Sequence, residues 1–143
     1  MRLKRGDVVK VLAGGVFPPG AHPIVILTVL GDTAIISNIT DIENEDDVHC
    51  LIEPKDDPKI ITINSTFRYQ SIKEQSVTKI EQAIIAGGLR YCGQLASIAF
   101  NKIIAGSQLP GVIIKPKYKE ILKPAPSIVV KTQAIPTVEI SGE

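Results

Sequence analysis

The chain has 143 residues, 44% of them apolar and 22% charged, with a net charge of +1 and no Trp. That apolar content is too high for a disordered chain, and near-zero net charge argues against bulk capture of nucleic acid while leaving room for a local basic face. Asp32 interrupts the longest apolar run, residues 23–36, well short of the roughly 20 residues a membrane span needs. The basic start, Met-Arg-Leu-Lys-Arg-Gly-Asp, lacks the apolar stretch of a signal peptide, so the expectation is a soluble cytoplasmic protein with no membrane role.

In chain order, Val8, Val9, Val11 and Leu12 predict a first strand that stops at Gly14 and Gly15. Residues 16–23 hold three prolines and Gly20, which predicts a loop. The β-branched run 24–30 suits a strand buried on both faces, and Gly31-Asp32 turns it into a second run over 33–39. Five acidic residues fall within 41–47, the pattern of a solvated loop. Further strands are expected at 48–52, 59–63 and 66–72, with a turn at 54–58. Short strands at this spacing suggest a small barrel, closed or nearly closed.

The period changes after Ser76. Val77, Ile80, Ile84 and Ile85 fall at helical spacing, with Ser76 or Thr78 as cap and Gly87-Gly88 as the stop. A second amphipathic helix is expected over 94–105, closed by Gly106, and residues 87–93 read as a link between the two. From Pro110 five prolines and five lysines are scattered through 34 residues, and 124–143 reads as a tail that is flexible or ordered by a partner. The fold class expected is mainly β (α+β), with domain 1–122 followed by a tail over 123–143.

Several residues are candidates for chemistry, each with an ordinary structural role beside it. His22 sits before Pro23 at the mouth of the central hairpin. A histidine on a loop held by a rigid sheet is suited to acid–base work, but a following proline also simply restrains such a residue. Ser37, Asn38 and Thr40 end the second hairpin strand, where they can hold a phosphate or satisfy a turn. Arg68 can clamp a phosphate and Tyr69 can stack a base, with Ser65 close by, although an Arg and a Tyr are also ordinary residues of a half-exposed strand. His49 is read as an outward-facing strand residue. Asp46-Asp47 and Asp56-Asp57 are read as solvated carboxylate pairs. Cys50 and Cys92, 42 residues apart, make neither a disulfide framework nor a zinc spacing, so no metal or other cofactor is expected.

Gly6 to Val9, a Gly/Pro loop, the run Gly-Ala-His-Pro-Ile-Val-Ile-Leu-Thr over 20–28, and Ile-Ser-Asn-Ile-Thr over 36–40 together resemble the MazF/PemK-like (CcdB-like) toxin superfamily. The likeness continues through Cys50-Leu-Ile-Glu-Pro, Asp56-Asp-Pro, Ser65 and Tyr69, and spans about residues 5–122. Pro23 matches the family's proline and Thr40 its threonine. His22 stands where the family has a catalytic arginine.

The resemblance implies an SH3-like barrel with two short C-terminal helices. It also implies metal-independent endoribonuclease activity on single-stranded RNA, a homodimer, and an antitoxin protein as partner. The catalytic set expected is His22, Thr40 and Arg68, of which Arg68 comes from its chemistry rather than from the motif. Ser37, Asn38, Ser65 and Tyr69 are expected to contact substrate. The alternative is a catalytically inactive barrel that assembles through its tail, adding a strand such as 128–130 to a neighbouring sheet edge.

Overall fold

The predicted hairpin is the centre of the sheet in the computed structural model, which describes residues 2–18, 21–44 and 48–124. β2 (Ile24–Leu30) and β3 (Thr33–Asp41) pair antiparallel across a turn in which Gly31 takes the left-handed conformation, φ 63°. β1 (Asp7–Val11) pairs with the far side of β2. The nine residues of β3 serve two further partners end to end. β4 (Ser65–Phe67) lies against its second half and β5 (Lys73–Ser76) against its first. β6 (Leu89–Gln94) pairs antiparallel with β1 and forms the opposite edge.

Three helices complete a mixed α+β structure: α1 (Val77–Ala86), α2 (Ser97–Ser107) and α3 (Pro116–Leu122). Among the described residues the six-stranded sheet does not close, so the coarser class stands without the barrel. No helix among them is long and apolar enough to cross a membrane.

Several local expectations need correction. Residues 87–93 are not a bare link between helices: Gly87 caps α1 at φ 89°, and the chain then enters β6. The expected strand at 48–52 is reduced to one bridge, Ile52 to Ser65, and 59–63 is a turn followed by irregular chain. The expected strand at 66–72 is broken by a short 3-10 turn, Tyr69–Ser71, because Tyr69 turns inward and its hydroxyl donates to the Ile103 carbonyl at 2.6 Å. A third helix replaces irregular chain after Pro110. Pro116 stands in its first turn, where a missing N–H costs nothing, and Tyr118 and Leu122 share one buried stripe. The tail beyond residue 124 and Asp46-Asp47 lie outside the described residues.

The alternation of β2 gives the sheet two apolar faces, as its continuous run of aliphatics predicts. Val25 and Leu27 join the larger core with Val8, Ile35, Ile39, Ala99, Ile103, Tyr118 and Leu122, so α2 and α3 cover that face. Ile26 joins Leu3, Ala34, Ile36, Val77 and Ile80 beneath α1 on the other. Truncating a side chain such as Ile26 or Ile103, each fully buried, costs about 2–5 kcal/mol.

Asp56 and Asp57 are not solvated; they are buried and fully engaged. Asp56 accepts from the Glu53 N–H at 2.8 Å and from Lys102 Nζ at 2.7 Å. Asp57 accepts from the N–H groups of Lys59, Ile60 and Ala96, tying this loop to the start of α2. Two sequence-adjacent carboxylates therefore fasten the large core in place of a strand.

Candidate functional site

α1 covers only part of its sheet face. Beyond it, Val9, Val11, Ile24, Ile36 and Leu89 form the apolar floor of a cleft of about 1020 Å³. Three segments supply the polar lining. The loop before β2 contributes His22, beside Pro18 and Ala21; the chain from β3 to β5 contributes Ser37, Asn38, Arg68, Ser71, Lys73 and Gln75; α1 contributes Lys79. Among the described lining residues none is acidic.

The sequence explains how these groups reach one place. β3 and the segment after β4 are laced together at Arg68: its N–H donates to the Asn38 carbonyl at 3.1 Å, and its own carbonyl accepts from Ser37 Oγ at 2.6 Å. Lys73 and Gln75 are two residues apart on β5 and so share a face, opposite Ile36 and Ala34 of β3. The intervening Glu74 points elsewhere, where Lys117 Nζ at 2.9 Å and Tyr118 Oη at 3.1 Å donate to it and hold its carboxyl below the usual range. The one acid of β5 is thus taken up by α3.

Lys79 is placed by the start of α1, where Ser76 Oγ accepts its backbone N–H at 3.2 Å. Asp32 of the hairpin turn accepts from Ser76 Oγ and from the N–H and hydroxyl of Thr78. These bonds keep the Asp32 carboxyl below its ordinary pKa and fasten α1 to the turn. His22 is half-buried, and the carbonyl of the following Pro23 accepts from Ile39 N–H at 2.9 Å. The histidine loop is therefore tied to the same strand, β3, that carries Ser37 and Asn38.

Of the seven residues singled out by sequence, His22, Ser37, Asn38 and Arg68 line the cleft together. Thr40, Ser65 and Tyr69 do not line it. Thr40 is buried opposite Thr66 in the β3–β4 pair. Ser65 Oγ donates to the Ile63 carbonyl at 2.8 Å, and Tyr69 lies in the large core with its ionisation raised chiefly by burial. Ser71, Gln75 and Lys79 were not among the sequence candidates. The alternation of Lys73 with Gln75, and Lys79 one turn after the helix cap, are the signals that point to them.

His49 lies half-buried in irregular chain rather than mid-strand. With Cys50, Leu51, Lys102 and Gly106 it lines a second, smaller cavity of about 260 Å³. Burial pushes the Cys50 thiol up to about 11, which keeps it protonated and unreactive at neutral pH. Cys50 and Cys92 are both free thiols. Among the described residues no three His, Cys, Asp or Glu side chains are grouped as a metal ion requires.

The cleft has the chemistry of a site for an anionic ligand with apolar parts: fixed cations, neutral hydrogen-bonding groups and one imidazole around an aliphatic floor. Compared with known families and curated proteins, the chain matches no family model and no curated protein.

Proposed function

We propose that this chain is a metal-independent endoribonuclease of the MazF/PemK type, a small SH3-like barrel that holds single-stranded RNA in the cleft. The observation that carries the reading is the shared placement of His22, Arg68, Lys73 and Lys79 around one cleft whose described lining has no carboxylate. In a chain of net charge +1, that concentrates positive charge where a phosphate backbone would lie.

In the proposed reaction the His22 imidazole takes the proton of a ribose 2′-hydroxyl. The 2′-oxygen attacks the adjacent phosphorus, and the bond from phosphorus to the 5′-oxygen breaks. The leaving oxygen takes a proton from the imidazolium, so the products are a 2′,3′-cyclic phosphate and a 5′-hydroxyl. Arg68 stabilises the added negative charge on the phosphorane, and Lys73 and Lys79 hold flanking phosphates. Ser37 positions Arg68 through its carbonyl, while Asn38 offers an amide to substrate.

The biological setting proposed is cytoplasmic, as a homodimer neutralised by an antitoxin protein. One observation favours a second reading, RNA capture without cleavage: Thr40, the residue matching the family's threonine, is buried away from the cleft. The ends formed on a long single-stranded RNA separate the two. Cleavage through the 2′-oxygen gives 5′-hydroxyl ends that a polynucleotide kinase labels directly, and capture alone gives no new ends.

A further inference from the structure

Phe17 lies outside the cleft yet beside it, and its surroundings are unusual for an exposed aromatic. Lys10 Nζ stands 5.0 Å and Arg90 Cζ 5.8 Å from its ring centroid, while the residue stays 41% exposed. Lys10 and Arg90 are direct cross-strand partners in the β1–β6 pair. Like charges set opposite each other destabilise a sheet, and among the described residues neither makes an ion pair that would relieve this.

Each member of the trio has a chain neighbour on the cleft lining: Val11 next to Lys10, Pro18 next to Phe17, Leu89 next to Arg90. Strand alternation puts Val11 and Leu89 on the cleft face and Lys10 and Arg90 on the reverse, at the same end of the sheet. A strand leaving the cleft over that end meets a partly exposed aromatic ring that lies against two cations. That combination is how sequence-tolerant sites hold single-stranded nucleic acid, the ring stacking a base and the cations taking its phosphates.

We infer that Phe17, Lys10 and Arg90 form a second nucleotide subsite, which stacks a base lying outside the cleft on the same single-stranded RNA. The inference rests on the RNA reading of the cleft. The absence of Trp from the chain makes Phe17→Trp a lone fluorescent reporter at this position. The probes are a 2′-O-methyl oligouridylate of eight nucleotides, which cannot be cleaved through its 2′-oxygen, and the matching dinucleotide.

In the full chain, the octamer quenches the Phe17→Trp emission, and Phe17→Ala weakens octamer binding on the order of tenfold. Dinucleotide affinity is unchanged by either substitution. Octamer binding that leaves the Trp emission unaltered and survives Phe17→Ala overturns the subsite while the cleft reading stands. Failure of the parent chain to bind either probe overturns both.

Discussion

Ser37 Oγ donates a 2.6 Å hydrogen bond to the carbonyl of Arg68, thirty-one residues away. The Arg68 N–H answers with a bond to the Asn38 carbonyl at 3.1 Å. Two adjacent β3 residues therefore grip one backbone unit and fix where the guanidinium starts. Beyond Arg68, Tyr69 is buried and its hydroxyl is anchored on α2. The cation's base is held by both the sheet and the core.

Ser37→Ala removes one of the two bonds of this grip without touching the cation. The net loss of one hydrogen bond costs about 1 kcal/mol, and the Arg68 carbonyl keeps its bond from Ser71 N–H at 3.2 Å. Urea unfolding is expected to show that modest loss. Binding of the non-cleavable octamer is expected to weaken in parallel, because Arg68 is held less firmly. Unchanged affinity would mean that Arg68 acts without this support.

Lys73 and Lys79 are expected to act as phosphate partners rather than base readers. Each substitution by Ala should lower octamer affinity and flatten the dependence of log K on log salt by about 0.7. Titrations at a series of salt concentrations measure that slope directly. A weaker affinity with an unchanged slope would remove the two lysines from the phosphate path.

Gly106 is where α2 meets the chain at His49 and Cys50. A methyl group there would collide with the Tyr69 hydroxyl and lie 3.1 Å from Cys50 Cβ. Alanine gains about 1 kcal/mol of helix propensity over glycine, but overpacking costs about 1–3 kcal/mol, and losing the bond from Tyr69 to Ile103 about 1 more. The collision wins, so Gly106→Ala is expected to destabilise by about 1–3 kcal/mol in urea unfolding. A stabilised variant would show that the close approach is not rigid.

The hydrogen bond from Lys102, together with that from the Glu53 N–H, holds the Asp56 carboxyl below its ordinary pKa. A folded-state value below the unfolded one contributes stability that is complete above about pH 4 and is lost as the pH falls through the lowered value. Lys102→Met is therefore expected to be less stable than the parent at pH 7, with the gap narrowing toward pH 3. Urea titrations at both pH values test this, and a gap that stays constant would assign the lysine a packing role only.

Two elements are legible from adjacent residues alone. The β2–β3 hairpin follows from two β-branched runs around Gly31-Asp32, and α1 follows from Ser76, its apolar stripe and Gly87. β6 was hidden because Gly87, Gly88 and Gly93 break its pattern, and its pairing with β1 lies some eighty residues away in the chain. α3 carried its own signals in Pro116, Tyr118 and Leu122, masked by the surrounding prolines and lysines.

The cleft divides the same way. His22, Ser37, Asn38 and Arg68 stood out by residue chemistry near the hairpin, and they do line one space. Thr40, Ser65 and Tyr69 have equally suitable chemistry, but the β3–β4 pair and the α2 contact bury them, and no local pattern reports that. Gln75 and Lys79 enter the cleft only because β5 pairs with β3 and α1 is fastened to Asp32.

Metal-independent RNA cleavage by this chain would depend on His22. The most direct measurement incubates a long single-stranded RNA with the full chain in excess EDTA, beside a His22→Ala variant of matching thermal unfolding, and maps the new ends. Discrete cleavage with 5′-hydroxyl ends is expected to survive chelation and to fall about 10²-fold or more in the variant. Full cleavage by the variant, or none by the parent chain, would contradict it.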